Sequence, residues 1–212
     1  PYGQAFSSTT TTIPDESSPV QFKQVRSTST FRLLTLIHFL GCASHSVILA
    51  HVVPMATFAG IPGLSATGII STIAGASVVT RFGVSVLTEK LGAKKPLLLS
   101  LILQTAPLFI LFWSRELWQF YMFAGLFGLG FGGEMVGYPI INRQYYGRNA
   151  PLGTIYSYQL MGASLGMGLG GWIGGILFDI TGSYIWSLGY ALITGGAAIA
   201  ATLFLPNYNP SM

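Results

Sequence analysis

The residue that most plainly asks for chemistry is Arg81, a guanidinium inside an otherwise apolar stretch, 65–88. It stands about eight residues from the end of that stretch, roughly 12 Å at the helical rise. Its planar fork suits a carboxylate, bidentately. Three readings stay open: contact with an anionic substrate, a structural ion pair, or a side chain snorkelling to the membrane surface. Glu134 is the one acid deep within an apolar stretch. It could pair with Arg81, or it could take up a proton in a desolvated setting. His38, His45 and His51 share one stretch, 33–58. His38 and His45, seven apart, lie on one helical face, and His51 points elsewhere. Each could shuttle a proton near neutral pH or simply hydrogen-bond a neighbouring helix, and His45 joins Glu134 as a candidate for proton coupling. With no acidic residue in that stretch, the histidines do not predict a metal site. Gly162-Ala163-Ser164-Leu165-Gly166 fits G-x-S-x-G. That motif works as a strained strand-to-helix elbow, and a glycine-striped helix produces it by composition alone.

These residues need elements to hold them. From Arg32 onward the chain has twelve charged residues, most of them in short gaps between long apolar runs. A charge at the bilayer centre costs about 2.5–3.5 kcal/mol on insertion scales. With 8% charged and 51% hydrophobic residues and a mean hydropathy of +0.60, the chain reads as an integral membrane protein. A helix needs about 20 apolar residues to span the hydrocarbon. Six stretches qualify: 33–58, 65–88, 97–113, 117–141, 152–178 and 184–205. They are too long and too continuous for the strands of a barrel. The expected fold is all-α, a bundle of six transmembrane helices over 32–206.

Six crossings put both ends on one side. If that side is cytoplasmic, it holds Lys23, Arg26, Arg32, Lys90, Lys94, Lys95, Arg143 and Arg148, against Arg115 alone outside. This is the positive-inside pattern of a multi-pass protein of a plasma or inner membrane. The net charge of +4 follows from these loops and gives no reason to invoke nucleic acid. Residues 1–31, Ser/Thr/Pro-rich over 7–19, read as a flexible cytoplasmic linker, and 207–212 as a tail. The start at Pro1 implies a segment upstream. Cys42 stands alone, so there is no disulfide framework, and it reads as a small buried apolar residue.

Glycine is concentrated inside the stretches. Gly162, Gly166, Gly170 and Gly174 recur at spacing four, as do Gly128 with Gly132 and Gly133 with Gly137. In lipid such stripes let helix backbones approach closely. They serve either static packing or the rocking of one bundle on another. Pro54, Pro107 and Pro139 are expected to kink their helices.

Several motifs converge on one family. Arg81-Phe82-Gly83-Val84-Ser85-Val86-Leu87-Thr88-Glu89-Lys90-Leu91-Gly92-Ala93-Lys94-Lys95 resembles the loop signature of the major facilitator superfamily, with Ser85 in place of a glycine and Glu89 in place of the commoner Asp. Asp179-Ile180-Thr181-Gly182-Ser183-Tyr184 is similar to a turn of its monocarboxylate-porter and oxalate/formate-antiporter branch. Tyr145-Tyr146-Gly147-Arg148 and His51-Val52-Val53-Pro54 also resemble that branch. The resemblance implies helices seven to twelve of a twelve-helix transporter, with an N-terminal six-helix half as partner and residues 1–31 in the central linker. It implies secondary active transport by alternating access, without cofactor or covalent chemistry, of a small organic anion of the monocarboxylate class. Arg81 falls where the branch contacts a substrate carboxylate, with His51, Tyr138, Gln159 and Tyr156 as further lining. Glu89, Lys90, Gly92, Lys94 and Lys95 would form the gating loop, and Glu134 or His45 would couple a proton. Ser77 stands where monocarboxylate carriers often have an aspartate, and the fifth stretch lacks the lysine of oxalate-type members, so the cargo is not named further. Two rivals are an intramembrane serine protease, with Ser164 reaching His45 or His51, and a non-transporting assembly or receptor module.

Overall fold

The computed structural model describes residues 21–207, the Glu89 side chain excepted. Residues 1–20 of the expected linker and 208–212 of the expected tail lie outside the described residues. Eight helices are present among the described residues: α1 (Phe22–Arg26), α2 (Ser29–Phe58), α3 (Gly63–Leu91), α4 (Lys94–Thr105), α5 (Leu108–Leu111), α6 (Leu117–Tyr146), α7 (Leu152–Thr181) and α8 (Tyr184–Leu203).

The end of the expected linker is ordered into α1. Phe22 and Val25, three apart, give it an apolar side. Val25 is fully buried, and the Phe22 ring stacks on Tyr158 of α7 at 4.6 Å. Thr28 then starts α2, its hydroxyl accepting from the Phe31 amide at 3.2 Å.

The six apolar stretches each fall on a helix or helix pair. Five segments are long and apolar enough to cross a membrane: Ser29–Phe58, Gly63–Thr88, Lys94–Leu111, Leu152–Thr181 and Tyr184–Leu203. α6 has the length without the apolar composition, because six glycines, Glu134, Asn142, Arg143 and Gln144 dilute it. Pro107 separates α4 from α5, as its missing N–H predicts. Pro54 and Pro139, by contrast, lie inside continuous helices.

α2 is the spine of the bundle. It packs most extensively on α7, then on α8, and also meets α3, α4 and α6, while α3 packs mainly on α6. The glycine stripes explain the closeness. A Cβ at Gly166 would overlap the Phe39 carbonyl, and one at Gly170 the Ala43 carbonyl, both on α2. On α6 the stripes divide: Gly128 and Gly132 meet α3 at Ile73 and Ser77, and Gly133 and Gly137 meet α4 at Ser100 and Leu97. Two apolar clusters fill the interior. One, around Val47, Ile48, Phe123 and Phe127, lies toward the α5 end; the other, around Leu34, Leu97, Leu101 and Ile141, lies toward α1.

Candidate functional site

Between the two apolar clusters runs a buried polar layer. Glu134, Tyr138 and Asn142, four apart, share one face of α6, as His38 and His45 share one face of α2. His45 Nδ1 lies 3.2 Å from Glu134 Oε2. The Tyr138 hydroxyl donates to Glu134 Oε1 at 3.2 Å. The His38 ring stacks on the Tyr138 ring with centroids 3.7 Å apart. Gly41 makes room for the carboxylate, since a Cβ there would overlap Glu134 Oε1. Gln104 of α4 sits beside the carboxylate. Glu134, His45 and Tyr138 are 0% exposed, and His38 and Gln104 1%. The pair is also deep: Glu134 is about 26 Å and 18 Å from the two ends of α6 at the helical rise. A lone carboxylate there would carry a heavy desolvation penalty, so its imidazole and phenol partners are what make it tenable.

Arg81 and Glu134 therefore do not pair, which corrects one expected reading. The packed stripe of α3 runs through Ala66, Ile69, Ile73, Ser77, Val84 and Thr88. Arg81 lies off that stripe with Val78, Phe82 and Ser85, and it is exposed. Among the described residues no carboxylate pairs with it. α3 continues to Leu91, so Arg81 is about 15 Å from the helix end.

Two expected lining residues are inside the bundle instead. Tyr138 is committed to Glu134. Gln159 is fully buried, and its amide is paired both ways with Asn142: Asn142 Nδ2 donates to Gln159 Oε1 at 2.6 Å, and Gln159 Nε2 donates to Asn142 Oδ1 at 2.9 Å. Reciprocal pairing uses both groups of each amide and ties α6 to α7. His51, half-buried, lies 2.9 Å from the Gly171 carbonyl of α7 through Nε2, the plain interhelical tie. Tyr156 is half-buried, its ring 6.1 Å from that of His38. Ser164 is on the exposed side of α7 and donates to its own helix at Leu160 O. It reaches neither His45, which is enclosed, nor His51. Among the described residues no three metal-ligating side chains converge. Cys42 is buried and free, as its surroundings required.

The loop after α3 is anchored on both sides. Lys94 Nζ donates to the carbonyls of Leu203 and Leu205 and to Asn207 Oδ1. The Ala93 amide donates to Gln144 Oε1 at 2.7 Å. Lys90 and Lys95 are exposed. The Glu89 side chain is outside the described residues.

The family model of the Major Facilitator Superfamily matches residues 15–212. The chain belongs to the Major Facilitator Superfamily. No curated protein matches it. Superfamily membership makes it a membrane transporter, integral and multi-pass, whose cargo is a small molecule. Three motif glycines have a local backbone reason. Gly92, Gly147 and Gly182 end α3, α6 and α7 at φ of 74°, 78° and 66°, a region where a Cβ is strained. After Gly182, Ser183 starts α8, its hydroxyl accepting from the Ile185 amide at 3.3 Å.

The sequence did not single out Gln104, Asn142 or Gly41. Asn142 was signalled by the Glu134–Tyr138–Asn142 spacing. Gln104 was signalled as the one amide side chain in α4 and α5. Gly41 carried no signal, because its importance lies in what a neighbouring helix inserts beside it.

Proposed function

We propose that the protein carries a small organic anion of the monocarboxylate class by alternating access, with Arg81 as the carboxylate contact. The observation that carries this reading is an exposed guanidinium within a membrane-spanning helix, among Val78 and Phe82, with no carboxylate paired to it among the described residues. In hydrocarbon such a charge calls for a partner or for water. A cargo carboxylate, held by the guanidinium fork, supplies one. Alternating access asks only that the cargo bind two arrangements differently.

The exposed faces of α3 and α7 support a second six-helix unit on that side, with the cargo between the two. Half-buried His51 and Tyr156 are the further lining candidates. α6, as long as the other spans and polar where it meets α2, is the sixth crossing. The basic end, with Lys90, Lys94, Arg143 and Arg148, faces the cytoplasm of a plasma or inner membrane, and the loop from Glu89 to Lys95 acts as the gate.

Uptake of labelled carboxylates by the full-length protein in liposomes tests this. Arg81→Ala abolishes uptake and Arg81→Lys, which keeps charge and loses the fork, cuts it strongly. Equal uptake by all three proteins removes Arg81 from the cargo site.

A further inference from the structure

The polar layer has features that a fixed structural tie does not need. Buried polar atoms are almost always paired, and leaving one orphaned costs about 1–3 kcal/mol. Here His38 Nδ1 and His45 Nε2 are buried without a hydrogen-bond partner. Both belong to rings beside one carboxylate. Gly41 lets the carboxylate pack directly against α2.

We propose that Glu134, His45 and His38 form a proton-binding centre enclosed within this bundle. In the unloaded state a neutral His45 donates from Nδ1 to the Glu134 carboxylate, and the centre carries one negative charge. A hydronium ion then gives up one proton and departs as water. The proton bonds to the carboxylate, and the centre becomes neutral. Only O–H bonds change. The neutral form suits an apolar interior, and the anionic form is penalised there. Loading therefore favours the closed seam between α2 and α6, and release favours an arrangement that admits water.

The groups that face the carboxylate are few. α2 contributes His38, Cys42 and His45, α6 contributes Tyr138, and α7 contributes Tyr156 at the half-buried edge. α4 contributes the uncharged Gln104, and α3 and α8 contribute no titratable side chain to the centre among the described residues. His38 lies between Tyr138 and Tyr156, with ring centroids at 3.7 Å and 6.1 Å. It is thus on the way from the open side of α7 to the carboxylate. The inference does not rest on the anion reading, because Arg81 takes no part in it.

Infrared difference spectra of the full chain in lipid nanodiscs test the centre. Acidification from roughly pH 8 to pH 5, where imidazoles titrate, produces the carbonyl stretch of a protonated carboxylic acid. That band is absent in Glu134→Gln, extends to more alkaline pH in His45→Gln, and is unchanged in Arg81→Ala. Wild-type protein gives an independent reading that needs no variant. Dicyclohexylcarbodiimide, an apolar reagent for protonated carboxyl groups, labels Glu134 at least tenfold more at the acid end, as mass spectrometry of its peptide reports. A band that persists in Glu134→Gln, or labelling of Glu134 that is flat with pH, overturns the proposal and leaves a static tie. Loss of uptake in Arg81→Ala with the band intact separates this centre from the cargo site.

Discussion

Glu134 on α6 and His45 on α2 meet at 3.2 Å with neither side chain exposed to solvent. Breaking a buried pair from one side leaves an uncompensated polar group and costs about 3–5 kcal/mol, whereas replacing both partners by apolar residues of similar volume costs far less. Glu134→Leu and His45→Leu should each lower the thermal midpoint in detergent sharply, and the double variant should recover much of the loss. Strictly additive losses in circular-dichroism melts would show that the two residues are not coupled.

The amide pair between α6 and α7 obeys the same logic with smaller stakes. Gln159→Leu orphans both groups of Asn142, which costs about 1–3 kcal/mol. Adding Asn142→Leu removes the orphan and should restore most of the stability. Melting curves that rank the double variant below both single ones would refute this.

Glycine substitutions should divide by the face they occupy. A Cβ at Gly132 meets the Ser77 backbone, and one at Gly170 meets Ala43, while Gly125 and Gly168 face open space. Gly132→Leu and Gly170→Leu should lose about 1–3 kcal/mol or more through overpacking. Gly125→Leu and Gly168→Leu on the same helices should leave the fluorescence-detected elution profile unchanged. Four variants with equal profiles would count against the close packing.

At the loop after α3, Gly92→Ala places a Cβ on a left-handed backbone, at about 1–2 kcal/mol. Gly83→Ala, in the interior of the same helix with open space around it, should gain about 0.5–1 kcal/mol. Chemical denaturation would rank them, and the reverse order would contradict the backbone assignment.

For Arg81, loss of a charge-assisted contact worth about 1.5–3 kcal/mol corresponds to roughly ten- to a hundredfold in apparent affinity. Replacing the cargo carboxylate by the matching amide should cost the wild type as much as Arg81→Ala does. If the amide is carried as well as the acid, the carboxylate contact is ruled out by the uptake assay.

Much of the bundle was legible before any coordinates. Length and charge spacing gave the long apolar helices, and the glycine stripes marked faces of α6 and α7 for close packing without naming the helices that meet them. The pairing of His38 with His45 on one face, and the departure of His51, followed from seven- and six-residue offsets. Other features depend on what comes from another helix. Glu134 meets His45 and not Arg81 because α3 turns Ser77 toward Gly132 of α6 and leaves Arg81 exposed, and no count along one helix reports which face its neighbour takes. Gln159 looked like cavity lining until Asn142, seventeen residues earlier, took both ends of its amide. Composition hid α1 as well, since two apolar residues in a Ser/Thr-rich setting seem too few until Tyr158 is there to receive them. Pro107 falls in the break between α4 and α5. At Pro54 and Pro139 the neighbouring turns kept the helix continuous.

Lys94 grips the last described stretch from one side through Leu203, Leu205 and Asn207, and the Tyr145 hydroxyl holds the Pro206 carbonyl from the other at 2.7 Å. A fusion partner joined directly after Pro206 would pull on both fastenings at once and so reach the α3–α4 turn and the foot of α6. Affinity handles and fluorescent reporters for this transporter therefore belong behind a generous spacer.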